Sequence, residues 1–212
     1  MSDFSRRWET RTEPGLGTKI REAVRSPGPL KPRLEQAVRQ IQVQVQKLDA
    51  MAVKLKDKDS AIFNKVISAL QKHDTQQATV YANELAEVRK IARLVTQARL
   101  ALEQISLRLS TVQELGEIVV TLAPAMGVIR GIKAGLSSIL PEADREIGEI
   151  SSMLSSILVE AGQLTGTTLN FGAANEDAER ILAEASAVAE QRMKEKFPEL
   201  PTGVGQGAPT QA

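Results

Sequence analysis

Cysteine is absent from this sequence and histidine occurs once, at His73. With no thiol and one imidazole, disulfides, cysteine nucleophiles and thiolate or multi-histidine metal sites are excluded by count. Aromatic residues make up 3% of the chain, and alternating runs of Val, Ile, Thr and Tyr are missing, which argues against sheets. No uninterrupted apolar stretch approaches the roughly 20 residues a spanning helix needs, and no apolar N-terminal segment precedes a cleavage site. The expectation is a cytoplasmic protein that meets membranes from the surface. A nucleophile, a base and an orienting group cannot be assembled from these residues, so no enzyme, cofactor, metal or small-molecule substrate is expected.

What the chain does contain is apolar residues at helical spacing. After Pro32 they fall at Leu34, Val38, Ile41, Val45, Leu48, Ala52 and Leu55, then at Ile62, Val66 and Ala69, a heptad seam with one break at Asp59. Lys72, His73 and Asp74 interrupt it, and Asp74 with Gln77 reads as an N-cap and its capping-box partner. A second seam follows at Tyr81, Leu85, Val88, Ile91, Val95, Ala98, Leu102, Ile105, Leu109 and Val112. Two long helices joined by so short a turn must lie antiparallel.

Pro124, Gly127, Gly131 and Gly135 sit in an apolar run between Gly116 and Leu140; proline and glycine weaken a helix, so a bendable joint is expected there. Pro141 at a first helical position opens an acidic helix carrying Ile147, Ile150, Leu154, Ile157 and Leu158 on its apolar side. Residues 162–175 read as a linker. A last helix follows with Ile181, Leu182, Ala185, Val188 and Met193, then a Gly/Pro tail expected to be disordered. The resulting division is a flexible basic leader over residues 1–32, a helical core over 33–161, the linker, a regulatory helix over 176–196 and a motif with its tail over 197–212. The fold class is all-α: a long antiparallel hairpin followed by shorter helices.

The net charge of +1 conceals a split: residues 1–110 hold 20 Lys and Arg against 12 Asp and Glu, while residues 111–212 hold 7 against 14. The basic half suits a polyanionic surface, and the acidic half suits the basic one.

Several short features compete for function. His73 reads as a turn residue. The acidic group Glu142, Asp144, Glu146 and Glu149 is ordinary helix-start charge, and Gly15-Leu16-Gly17-Thr18-Lys19 lacks phosphate-loop spacing. Phe4 and Trp8 share a helical face beside Arg6, Arg7 and Arg11, a composition suited to the lipid interface. At the other end, the prolines of Phe197-Pro198-Glu199-Leu200-Pro201 favour an extended backbone that offers Phe197 and Leu200 to a partner groove.

A basic hairpin, a glycine-rich middle, an acidic helix, a linker, a last helix and a Pro-Glu-Leu-Pro element together resemble the archaeal ESCRT-III proteins of the CdvB group, over about residues 1–201. The resemblance implies a subunit of membrane-bound filaments that constrict dividing archaeal cells at the division site. It implies as partners further copies of the chain, paralogous ESCRT-III subunits and the acidic membrane surface. It also implies that the acidic C-terminal part folds back on the hairpin, and that Phe197 to Pro201 serve as the motif for the MIT domain of an AAA ATPase. The sequence carries no winged-helix extension after this motif, as in a short paralog. Two other readings fit the residues: a membrane-stress scaffold like phage-shock protein A, and a helical scaffold that binds nucleic acid through its basic half, the latter being the less favoured partner.

Overall fold

The computed structural model describes residues 30–137, 139–166 and 171–199, and these are helical with no strand among them. The helices are α1 (Leu30–Gln71), α2 (Thr75–Ser110), α3 (Leu115–Leu136), α4 (Pro141–Thr165) and α5 (Phe171–Lys196). Helix α1, of 42 residues, is about 63 Å long at ~1.5 Å per residue. It begins at Leu30 and so includes Pro32, which is tolerated because N–H groups of a first turn have no intrahelical acceptor.

The two seams face each other as their spacing predicts. Leu34, Val38, Ile41, Leu48, Ile62, Val66 and Ala69 of α1 are buried, as are Leu85, Val88, Val95, Ala98, Leu102, Ile105 and Leu109 of α2. The turn between them closes both helix ends with local hydrogen bonds. Asp74 N–H donates to Ala69 O at 3.0 Å and His73 N–H to Leu70 O at 2.9 Å, the double bond pattern of a Schellman motif. That motif needs a left-handed residue, which here is His73 at φ 58°. Asp74 then caps α2, its Oδ1 accepting from Gln77 N–H at 2.9 Å.

The three shorter helices fold back along the hairpin. Helix α4 lies antiparallel to α1: Glu146 accepts from Lys47 Nζ and Gln44 Nε2, both at 2.5 Å, and fourteen residues on in α4, fourteen back in α1, Glu160 pairs with Arg33. This is the expected attraction between acidic and basic halves. Helix α5 runs antiparallel to α2, with Leu182 O beside Gln97 and Phe197 beside Arg89. Helix α3 sits between, touching α2, α4 and α5, and its Ile118, Val119, Leu122, Val128, Ile129, Ile132 and Leu136 fill the centre of the core. Its stretch Gly116–Leu136 is long and apolar enough, by composition, to cross a membrane, and 44% of that apolar window is buried in the core.

Three expectations are corrected. The described residues of 162–175 are helical apart from Gly166: α4 continues to Thr165, where Gly166 ends it at φ 63°, and α5 starts at Phe171. The expected joint is one continuous helix. Pro124 leaves the Val120 carbonyl without its helical donor, but Val120 is 69% exposed, so water can serve that group. Val188 is 40% exposed, and Ala189 is the buried residue of that turn instead.

The left-handed His73 gives a direct test of the turn. A β-carbon there costs about 1–2 kcal/mol, partly offset by the greater unfolded-state freedom of glycine. His73→Gly should therefore stabilise the protein by about 0.5–1 kcal/mol, and His73→Val should destabilise it. Thermal unfolding followed by circular dichroism checks both, and a lower melting temperature for His73→Gly would contradict the turn geometry.

Candidate functional site

The one break in the α1 seam is the most informative polar position in the chain. Asp59 follows Leu55 by four and precedes Ile62 by three, in perfect phase with its apolar neighbours, and its side chain is 2% exposed. A carboxylate taken so far out of water needs a charged partner. Arg89 of α2 supplies it, with Nε at 2.6 Å from Oδ1 and the second nitrogen at 3.3 Å from Oδ2. Ten residues away on each helix, Asp49 and Arg99 pair at 3.5 Å, so both ion pairs record the same hairpin register.

Arg89 has a second neighbour. The Phe197 ring lies with its centroid 5.8 Å from the guanidinium carbon, a cation–π distance. The first residue of the Phe197–Pro201 element thus rests on the cation that neutralises Asp59. Phe197 is partly buried, while Pro198 and Glu199 are exposed. Leu200 and Pro201 lie outside the described residues, as do Phe4, Arg6, Arg7, Trp8 and Arg11, so the proposed membrane segment is not placed.

Helix α5 reaches this point because α3 lets it approach. A β-carbon on Gly127 would stand 2.7 Å from Ala178 Cβ, and one on Gly131 would stand 2.6 Å from Leu182 Cδ1. The glycines, four apart on α3, receive residues four apart on α5. Leu182 ends in a flexible side chain that can rotate aside, whereas Ala178 Cβ is fixed to its backbone, so Gly127 is the stricter position. Close backbone approach, rather than bending, explains these glycines. Among the described residues no ion pair ties α5 to the other helices; Arg180–Asp177 and Lys194–Glu190 are internal to it. Apolar packing of Ala178, Ile181, Ala185, Ala189 and Met193 holds it.

Of the acidic group at the start of α4, Glu146 alone bridges to another helix. Its carboxyl is held below the ordinary glutamate range, chiefly by the hydrogen bond from Lys47 and next by that from Gln44. His73 is exposed in its turn. Among the described residues no cluster of three or more His, Asp or Glu could hold a metal ion.

A two-helix hairpin carrying three shorter helices folded back along it is an ESCRT-III-like architecture. The chain is 41% identical to Cell division protein B1 of Sulfolobus acidocaldarius over 199 residues, covering 94% of this chain and 90% of that protein. It is 34% identical to Cell division protein B of the same organism over 175 residues, covering 81% of this chain and 67% of that protein. No family model matches, and no solved structure matches. The chain belongs to the CdvB group of archaeal ESCRT-III proteins.

Two predictions follow from these contacts. Arg89→Leu strands the Asp59 carboxylate and should cost about 3–5 kcal/mol, whereas the double variant Asp59→Leu/Arg89→Leu should recover most of that loss. Denaturant unfolding of the three variants measures it; additive losses would show that the pair is not coupled. For Glu146, a folded pKa below the unfolded value means that its contribution is complete above the ordinary carboxylate range. That contribution is lost as pH falls through the depressed pKa. Glu146→Gln should therefore lower stability near neutrality and converge with the parent protein in acid, as read from unfolding midpoints across pH.

Proposed function

We propose that this chain is a polymerising subunit of the archaeal cell-division apparatus, which forms filaments on the membrane at the division site and is withdrawn from them by an AAA ATPase. Its relatives are named as cell division proteins, and two of them from one organism are paralogs of the kind with which such a subunit would co-assemble. The work is mechanical: curvature arises from packing neighbouring hairpins side by side, and no bond is made or broken by the subunit.

The observation that carries this reading is the folded-back tail. Helices α4 and α5 cover α1 and α2 along faces that neighbouring hairpins would need, so the folded form is the unassembled subunit. The two straps differ in kind. Helix α4 buries Ile147, Ile150, Leu154, Ile157 and Ala161 and adds ion pairs to α1 through Glu146 and Glu160. Helix α5 is held by close packing on Gly127 and Gly131, ending with Phe197 on Arg89. Release of α5 takes Phe197 off Arg89, and Phe197 opens the element proposed for the MIT domain, which continues through Pro198, Glu199, Leu200 and Pro201. Phe4, Arg6, Arg7, Trp8 and Arg11 would dock the subunit on acidic lipid.

Gly127→Leu tests the reading without touching the tail. It removes a helix-weakening glycine from α3, a gain of up to about 1 kcal/mol in helix propensity, yet forces α5 away from Ala178. The variant should keep its helix content and pellet with acidic liposomes as polymer where the parent stays soluble. An unchanged sedimentation profile, with α5 demonstrably released, would sink autoinhibition. Leu200→Asp should abolish binding of the ATPase MIT domain measured by calorimetry; retained affinity would place the motif elsewhere.

A further inference from the structure

The two straps place different charges against the hairpin. Helix α4 meets the basic hairpin with carboxylates, but the last turns of α5 bring Arg192, Lys194 and Lys196 against a part of the hairpin that is itself cationic. A cleft of about 500 Å³ between α2 and the end of α5 is lined by Arg89, Lys90 and Arg93 on one side and Lys194 on the other, with Glu199 its single carboxylate. Its apolar floor is Leu94, Met193 and the Phe197 ring. A smaller cleft of about 170 Å³ adjoins it, sharing Met193 and Phe197, and adds Lys56, Arg99, Arg192 and Lys196 against Asp49 alone.

Eight cations from α1, α2 and α5 thus line the two clefts around one aromatic ring; two carboxylates share the lining, and Asp59, Glu87, Glu103 and Glu190 pair with Arg89, Lys90, Arg99 and Lys194 from outside it. Asp49 is already engaged by Arg99, and Arg89 by Asp59. Lys56, Arg93, Arg192 and Lys196 make no ion pair among the described residues. Lysines at a helix C-terminus answer the negative end of the helix dipole, which accounts for Lys194 and Lys196 as residues of α5. It does not account for seating them beside Arg93 and Lys56, where like charges repel. Folding α5 down therefore seats the unpaired Arg192 and Lys196 near the unpaired Lys56 and Arg93, on concave, partly apolar surface.

We propose that this composite cleft binds a phosphate-bearing anion of multiple charge, and that it exists as a site only while α5 is docked. The anion bridges Arg89, Lys90 and Arg93 of α2 to Lys194 of α5, relieves their mutual repulsion and so strengthens the folded-back state by linkage. The cleft lies within the volume range of small-ligand sites, roughly 300–1,000 Å³. The phosphate can come from a soluble polyphosphate or nucleotide, or from a lipid headgroup. This inference stands apart from filament formation: it needs the docked α5, not the polymer.

The test uses the full chain and inorganic tripolyphosphate as probe. At a hundredfold excess over Kd the melting temperature should rise by roughly 5 °C or more beyond sodium chloride of matched ionic strength. Arg93→Ala/Lys194→Ala, two exposed positions, should lose at least tenfold in affinity by calorimetry, while Lys65→Ala/Lys72→Ala at the hairpin tip should bind as the parent does. Gly127→Leu, with helix content verified, should lose binding although every cation remains in the chain. Displacement of tripolyphosphate by acidic phospholipid vesicles assigns the natural source to a headgroup, and failure to displace assigns it to a soluble anion. No rise beyond the salt control, or equal affinity in the Arg93/Lys194 variant, overturns the site. Equal affinity in Gly127→Leu overturns its dependence on α5.

Discussion

One buried carboxylate organises this molecule. Asp59 stands where the heptad phase of α1 calls for an apolar residue, and a lone carboxylate there would be prohibitively unstable. Its pairing with Arg89 therefore selects one alignment of the two long helices, and the Asp49–Arg99 pair repeats that alignment ten residues on. A buried ion pair seldom adds net stability, yet it penalises every register that separates its members. The same guanidinium then serves as the platform for Phe197. Hairpin register and the end of the folded-back tail thus meet at one residue.

The folded-back helices obey different physics, and that difference sets how each can be released. Besides its buried apolar side, α4 is tied to α1 by Glu146 on the Lys47 ammonium and Glu160 on the Arg33 guanidinium, so its docking responds to pH and, being partly exposed, to salt. Shape holds α5: glycines at 127 and 131 let two helices approach to a distance that any larger side chain at 127 forbids. The end of α5 seats Arg192 and Lys196 near Lys56 and Arg93; an anion shared by these cations would favour the docked form, and neighbouring hairpins that occupy the same faces would favour the open one.

Much of the fold was legible in the sequence because heptad spacing is a redundant signal. Twenty positions spell out the two seams, Asp74 marks the second helix start, and Pro141 marks the start of α4. What was not legible depended on a single partner far along the chain. Asp59 read as a break because Arg89, thirty residues away, is an unremarkable surface-type residue in sequence. Its strict phase between Leu55 and Ile62 was the available signal. Gly127 and Gly131 read as a hinge because glycine lowers helix propensity, and nothing local discloses that Ala178 and Leu182 pack on them. The stretch 162–175 read as a linker from its Gly, Thr and Asn content, whereas tertiary packing extends helices through weakly helical residues at both its ends. Phe197 was identified as an anchor for a partner groove, and in the folded-back subunit it already occupies a place on the hairpin itself.

The central claim is that α5 lies latched on α2 and α3 in the isolated subunit. Because the chain has no cysteine, two introduced at exposed positions, Glu87→Cys in α2 and Gln191→Cys in α5, carry the only spin labels in the protein. Pulsed dipolar spectroscopy of this variant should give one narrow, short distance, converted to a broad and longer distribution by Gly127→Leu. A broad, long distribution in the parent chain would contradict the latch at its foundation.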